Sequence, residues 1–140
     1  MLRATDANEP ITREDLLQFE ENLGKKLPES MLNFYLQYNG GHSCVSGVHD
    51  DKHLFPFNAF YSLEEMEKAL NWFDDEVVPA GFQAKDLLHF AYDPGSGNYA
   101  LSLREEDFGK VYYYVLEERA EIFGQWFSFE EFLNSFVEGE

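Results

Sequence analysis

Basic side chains are scarce in this sequence: 10 Lys and Arg stand against 27 Asp and Glu, a formal net charge of −17 over 140 residues. A field of that sign repels phosphate backbones and anionic headgroups, and it speeds encounter with basic partners. No direct contact with nucleic acid or a membrane surface is therefore expected. Cysteine is scarcer still. Cys44 stands alone, so an intramolecular disulfide is excluded and nothing points to an oxidising compartment. Long apolar runs are missing too. No window approaches the roughly 18 consecutive apolar residues of a membrane span, and the opening Met1 to Pro10 holds no apolar stretch of signal-peptide length. A soluble, cytoplasmic protein is the expectation. Repeats and low-complexity linkers are also absent, and the length suits a single core.

Aromatic residues, by contrast, are abundant: 17% of the chain, mostly 14 Phe and 8 Tyr, which sets it apart from a disordered acidic chain. Three helices are expected to open with one device, a Ser or Thr cap with an acid three residues on, bracketed by apolar residues. Ile11-Thr12-Arg13-Glu14-Asp15-Leu16, Tyr61-Ser62-Leu63-Glu64-Glu65-Met66 and Phe127-Ser128-Phe129-Glu130-Glu131-Phe132 all fit. Leu16, Phe19 and Leu23 give the first helix an apolar face; Met66, Leu70 and Phe73 do so for the third, and Phe132 with Phe136 for the last. The second helix lies between Pro28, suited to a first helical position, and Asn39-Gly40-Gly41, which can close a helix in the left-handed conformation. Five short strands are predicted, at Cys44 to His49, His53 to Phe55, Leu87 to Tyr92, Tyr99 to Leu103 and Lys110 to Leu116. Asp50-Asp51-Lys52, Asp93 to Asn98 and Glu105 to Gly109 supply the turns. Short connections favour antiparallel pairing, so the order α-α-β-β-α-β-β-β-α implies a single α+β domain with helices packed on a twisted, mostly antiparallel sheet. The domain is placed at residues 11–137, after a loose segment at 1–10.

Three segments in this order carry a family resemblance. They are Leu27-Pro28 with its aromatic-rich helix and Asn39-Gly40-Gly41; then Asp93-Pro94-Gly95-Ser96-Gly97-Asn98 leading into Tyr99-Ala100-Leu101; then Val111-Tyr112-Tyr113-Tyr114 followed by the closing Phe127 to Leu133. The chain resembles the SUKH superfamily, whose members include bacterial immunity proteins and fungal Smi/Knr-type regulators of cell-wall synthesis. The resemblance runs from Ile11 to about Phe136. Leu27, Pro28, Asn39, Gly40, Gly41, Asp93, Gly97 and Asn98 match its motifs, and structural roles are expected for them.

Candidate chemistry is thin. His49 and His53 are four apart, but Gly47 and Pro56 flank them in a strand-turn-strand pattern rather than the helix that would align them as metal ligands. Cys44 near His42 lacks any sign of an activated thiolate, and a lone Cys at a strand start reads as a small buried hydrophobe. His89, between Leu88 and Phe90, is expected on a polar or half-exposed face. Asp93 to Asn98 lacks the Lys of a phosphate loop and the oxygen ligands of a calcium loop, and reads as a hairpin whose glycines supply positive φ. Neither catalytic residue, metal nor cofactor is expected.

The remaining signal is charge. Acidic runs occur at Asp74-Asp75-Glu76, Glu105-Glu106-Asp107, Glu117-Glu118 with Glu121, and Glu130-Glu131. Such runs are usually solvated faces, but carboxylates beside exposed aromatics are also what a binder of basic proteins uses. Asp74, Asp75, Glu76, Glu105, Glu106, Asp107, Glu117 and Glu118 are the candidate partner-binding acids, with Tyr112, Tyr114 and Trp72 as possible anchors. The resemblance implies a non-enzymatic binding module: an immunity protein that neutralises a basic cognate toxin, possibly a nuclease, in the cell that makes it. A regulatory scaffold, or an enzyme of unknown chemistry, are the other readings.

Overall fold

Helix capping is where local sequence passes most directly into the computed structural model, which describes residues 4–5, 9–43, 47–115 and 121–136. Thr12 opens α1 (Arg13–Leu23): its Oγ1 accepts the Asp15 N–H at 3.2 Å, and Asp15 Oδ2 accepts the Thr12 N–H at 2.9 Å. Gly24 closes α1 in the left-handed region at φ 79°. Pro28 stands just outside α2 (Glu29–Gln37) as its N-cap, with ψ 144°, one residue earlier than the expected first helical position. Tyr38, in extended backbone, ends that helix before Asn39-Gly40 is reached. Ser62 and Glu65 make the full reciprocal exchange at α3 (Leu63–Ala69). At α4 (Phe129–Leu133) only half of it forms. Ser128 Oγ accepts the Glu131 N–H, but the Glu131 carboxylate reaches one residue further back and accepts from Phe127 N.

A seven-stranded sheet is built from β1 (Ala4–Thr5), β2 (Gly41–Ser43), β5 (Ala59–Phe60), β6 (Leu87–Tyr92), β7 (Gly97–Ser102), β8 (Val111–Val115) and β9 (Ile122–Trp126). They lie in the order β1-β2-β5-β6-β7-β8-β9, every neighbouring pair antiparallel. β3 (Gly47–His49) and β4 (Leu54–Pro56) form a separate hairpin, closed by Asp50, whose Oδ1 accepts the N–H groups of Lys52 and His53 at 2.8 Å each. The expected α+β class and antiparallel sheet are therefore present.

Four strands have no local signal. β1 and β5 are two residues long and β2 is three, too short to show alternation, and they exist only because distant segments pair with them. Ala4–Thr5 falls in the segment expected to be loose and pairs with β2. β9 contains Gly124, which reads as a breaker. A side chain there would collide with the Phe55 ring, its Cβ falling 2.6 Å from Cε2, so the glycine admits the hairpin against the strand. Cys44, in the first expected strand, lies outside the described residues.

The sheet is covered on both faces. The main core holds Leu16 and Phe19 of α1, Met31 and Tyr35 of α2, Phe129 and Phe132 of α4, and the inward residues Leu88, Phe90, Tyr99, Leu101, Val111 and Tyr113. Each such ring or branched chain withdrawn from water contributes about 1.5–3 kcal/mol. A pairing irregularity between His89 and Ala91 sends both Phe90 and Ala91 into that core. The opposite face is a second, smaller core of Val78, Leu87, Ala100, Tyr112 and Tyr114, over which Phe73, Phe82 and Ala84 fold. α3 ends too early to carry Leu70 and Phe73 on its apolar face as expected: Leu70 is exposed, and Phe73 belongs to the second core. Phe136 also lies beyond its helix, buried beside a bridge to Val48.

Candidate partner-binding groove

Two motif segments anchor one region of the surface. Asn39, buried, accepts the otherwise free Leu63 N–H of α3 at 2.8 Å through Oδ1 and donates to Glu9 O through Nδ2. Gly40, at φ 82°, lies so close to α3 that a Cβ would fall 2.7 Å from Ser62 N. This segment therefore docks the start of α3 rather than stopping α2. In the β6–β7 hairpin, Asp93 Oδ1 accepts the Gly95 N–H at 2.7 Å and the Gly97 N–H at 2.9 Å, and Tyr113 Oη donates to Oδ2 at 2.5 Å. Neither Gly95 nor Gly97 has the positive φ expected of it. Gly97 is required for space, because a Cβ would overlap the Asp93 carboxylate and the Tyr113 hydroxyl.

Between these anchors lies an open groove of about 360 Å³. Gly97 and Asn98 line one side, and Asn98 Oδ1 accepts from Tyr61 Oη at 3.4 Å. Tyr61 and Tyr92 are half-buried with ring centroids 5.0 Å apart, and Trp72, 55% exposed, sets its ring at 76° to Tyr61 across 5.7 Å. Burial, the neighbouring Tyr92 and Glu65 hold the Tyr61 hydroxyl neutral, up at about 12; burial and Glu65 also raise Tyr92. Phe73 and Val77 also line it, with Gly95 and Ser96, and bracket in the chain the exposed run Asp74-Asp75-Glu76. Two of those acids also shape the loop: Asp74 Oδ1 accepts the Glu76 N–H and Asp75 Oδ1 the Ala84 N–H. No Lys or Arg lines the groove among the described residues.

The wall is backed by a buried histidine. Phe73 stacks on His89 with centroids 3.7 Å apart and planes 13° from parallel, and His89 Nε2 and Tyr114 Oη share a 2.5 Å hydrogen bond. His89 is thus buried, where alternation predicts a polar or half-exposed face, because the 70–86 segment folds over that side of the sheet. Burial depresses the ring to about 3 and keeps it neutral.

The other expected partner residues do not gather here. Tyr114 is fully enclosed and Tyr112 nearly so, both in the second core, so neither is a surface anchor. Asp107 accepts from Ser102 Oγ and Tyr112 Oη at 2.5 Å each and pairs with Arg104 through two hydrogen bonds, of 3.1 and 2.6 Å. Burial raises its carboxyl, but these donors outweigh that and hold it at about 2. Asp107 is therefore a structural hub. Glu105 and Glu106 are exposed on the β7–β8 turn, at the opposite end of β7 from Gly97. Glu117 and Glu118 lie outside the described residues. Sequence reasoning misses Tyr61 and Tyr92, which line the groove, since nothing local joins the residue before a helix cap to a strand end.

A wider hollow of about 1030 Å³ lies between the β3–β4 turn, β9 and α4. It contains His49 and His53, both exposed, and its charges are mixed, Lys52 and Lys110 facing Asp50, Asp51 and Glu131. Among the described residues no three His, Cys, Asp or Glu are placed to hold a metal ion, and no helix is long and apolar enough to cross a membrane.

The chain is similar to the protein named immunity protein YxxD of Bacillus subtilis (strain 168), 27% identical in an alignment covering 77% of this chain and 72% of that protein. The family model described as SMI1 / KNR4 family (SUKH-1) matches residues 10–135, nearly the whole fold described above, and the chain belongs to that family.

Proposed function

We propose that this protein is an immunity-type binding module that neutralises a cognate toxin domain by occupying it, without catalysing a reaction. Family membership, together with a relative that is itself called an immunity protein, is the observation that carries this reading. The net charge of −17 supplies a mechanism. Toxins that bind or cut nucleic acid are commonly basic, and an acidic protein can present the potential that the nucleic acid would have presented. The aromatic groove beside Asp74-Asp75-Glu76 is the face offered, because it combines accessible rings, neighbouring exposed acids and a lining without cations among the described residues.

A tagged pull-down from the native organism at low salt, eluted with a salt gradient and read by mass spectrometry, tests this. One basic toxin-like protein leaving at a defined salt step is the expected result, with its affinity falling as salt rises. Binding that is indifferent to salt would refute the electrostatic mechanism. Recovery of cell-wall or signalling components instead would favour the scaffold reading.

A further inference from the structure

We propose that the groove between α3 and the β6–β7 hairpin is an aromatic cage that receives one Lys or Arg side chain of the protein this chain binds. The inference rests on the immunity-type reading for its partner but on the groove's own geometry for its ligand. Three electron-rich rings, Tyr61, Tyr92 and Trp72, converge on it, two tilted by only 31° and the third close to perpendicular, so that walls rather than a flat patch are presented. A cation within roughly 6 Å of such ring faces is attracted by their quadrupoles, most strongly for Trp.

The charge around the groove selects for a cation and against an anion. Glu65, on the first turn of α3, has its carboxylate held at the Ser62 N–H, 2.9 Å away and one residue from Tyr61, and the exposed Asp74-Asp75-Glu76 run lies in the chain between the lining residues Phe73 and Val77. Among the described residues no lining cation competes for those carboxylates, unlike the wider hollow beside β9, where Lys110 already sits 5.4 Å from the Phe127 ring centroid. The walls are also held in place before any ligand arrives. The Tyr61 hydroxyl makes a long 3.4 Å contact with Asn98 Oδ1, Asp93 fixes the hairpin, and the His89–Tyr114 pair backs Phe73. Holding these groups in place lowers the ordering cost of binding, which then falls mainly on the exposed Trp72.

The test uses the intact protein and two blocked amino acids of one shape and different charge, N-acetyl-arginine amide and N-acetyl-citrulline amide. Each is titrated while the Trp72 indole N–H and the Gly97 and Asn98 amides are followed by ¹H–¹⁵N NMR. A saturable shift confined to these groups with the arginine compound, and none with citrulline at equal concentration, is the expected result. Glu65→Gln keeps the helix cap, which Gln can also make, and removes the charge; it should weaken the arginine compound several-fold. Trp72→Ala, at an exposed position, should weaken it by roughly 2- to 30-fold, the span of a cation–π contact. Equal response to citrulline, or no saturable response at millimolar concentrations, would overturn the cage even if a toxin partner had been found. A toxin whose affinity is unchanged by Trp72→Ala would overturn it as a docking site. Charge-selective binding of arginine amide with no toxin ever recovered would support the cage and sink the immunity reading instead.

Discussion

Replacing His89 by Gln should flatten the acid side of the stability curve. His89 lies buried between Phe73 and Tyr114, and burial lowers its pKa from 6.5 to about 3. A folded-state pKa below the unfolded value means that the unfolded chain takes up the proton first. The contribution is therefore fully present above pH 6.5 and is lost as pH falls from there towards 3. Between pH 7.5 and pH 5 the imidazole alone should remove about 2 kcal/mol of stability, with a limiting slope of about 1.4 kcal/mol per pH unit. Glutamine can still hydrogen-bond Tyr114 but cannot titrate. His89→Gln should be less stable at pH 7.5, by about 1–3 kcal/mol for the lost ring stack and imperfect filling, yet lose less on acidification. Urea unfolding of both proteins at pH 7.5, 6.5, 5.5 and 5 reads the difference, which cancels the carboxylates common to both. Parallel curves for the two proteins over that range would show that His89 is not held neutral by the fold, and the packing argument for the second core would fail with it.

Two glycines with nearly the same φ should respond differently to alanine. Gly24, at φ 79° with nothing within 4 Å of the position a Cβ would take, should lose only the left-handed strain of about 1–2 kcal/mol, whereas Gly40, at φ 82° against Ser62, should lose distinctly more; equal losses in thermal unfolding would refute the docking role of that turn. Asp107→Asn should destabilise by about 1–3 kcal/mol, because Arg104 is left half-buried without its carboxylate. Since the folded pKa of Asp107 is lowered from 3.8 to about 2, its contribution is present above pH 4 and lost as pH falls towards 2, so wild type and variant should converge there in acid unfolding.

Much of the fold is legible in the sequence because its signals are local. A hydroxyl three residues before an acid, with apolar residues on both sides, marks a helix start whatever the chain does elsewhere, and the Thr12 and Ser62 exchanges form as expected. Leu87 to Tyr92 is recoverable as a strand because five of its six residues are apolar or aromatic, broken only by His89. Asp93 and Asn39 are recognisable as motif residues but not for what they do. Gly97 reads as a turn glycine, and it is needed because the Asp93 carboxylate occupies the space a Cβ would take. Asn39 reads as a helix stop, and it caps a different helix, 24 residues further on.

Composition and local pattern by themselves determined the α+β class, the helix starts and the acidic field, and three motif segments carried the family resemblance that the match over residues 10–135 bears out. Only tertiary structure decided which side chains meet. The 70–86 segment crosses the sheet and turns an apparently half-exposed strand face into a second core, burying His89, Tyr112 and Tyr114 and withdrawing two expected anchors from the surface. The same crossing sets Trp72 beside Tyr61, and antiparallel pairing of β5 with β6 brings Tyr92 to them. Pairing across tens of residues is settled by the burial that the assembled layers achieve together, a quantity with no value until the chain has folded.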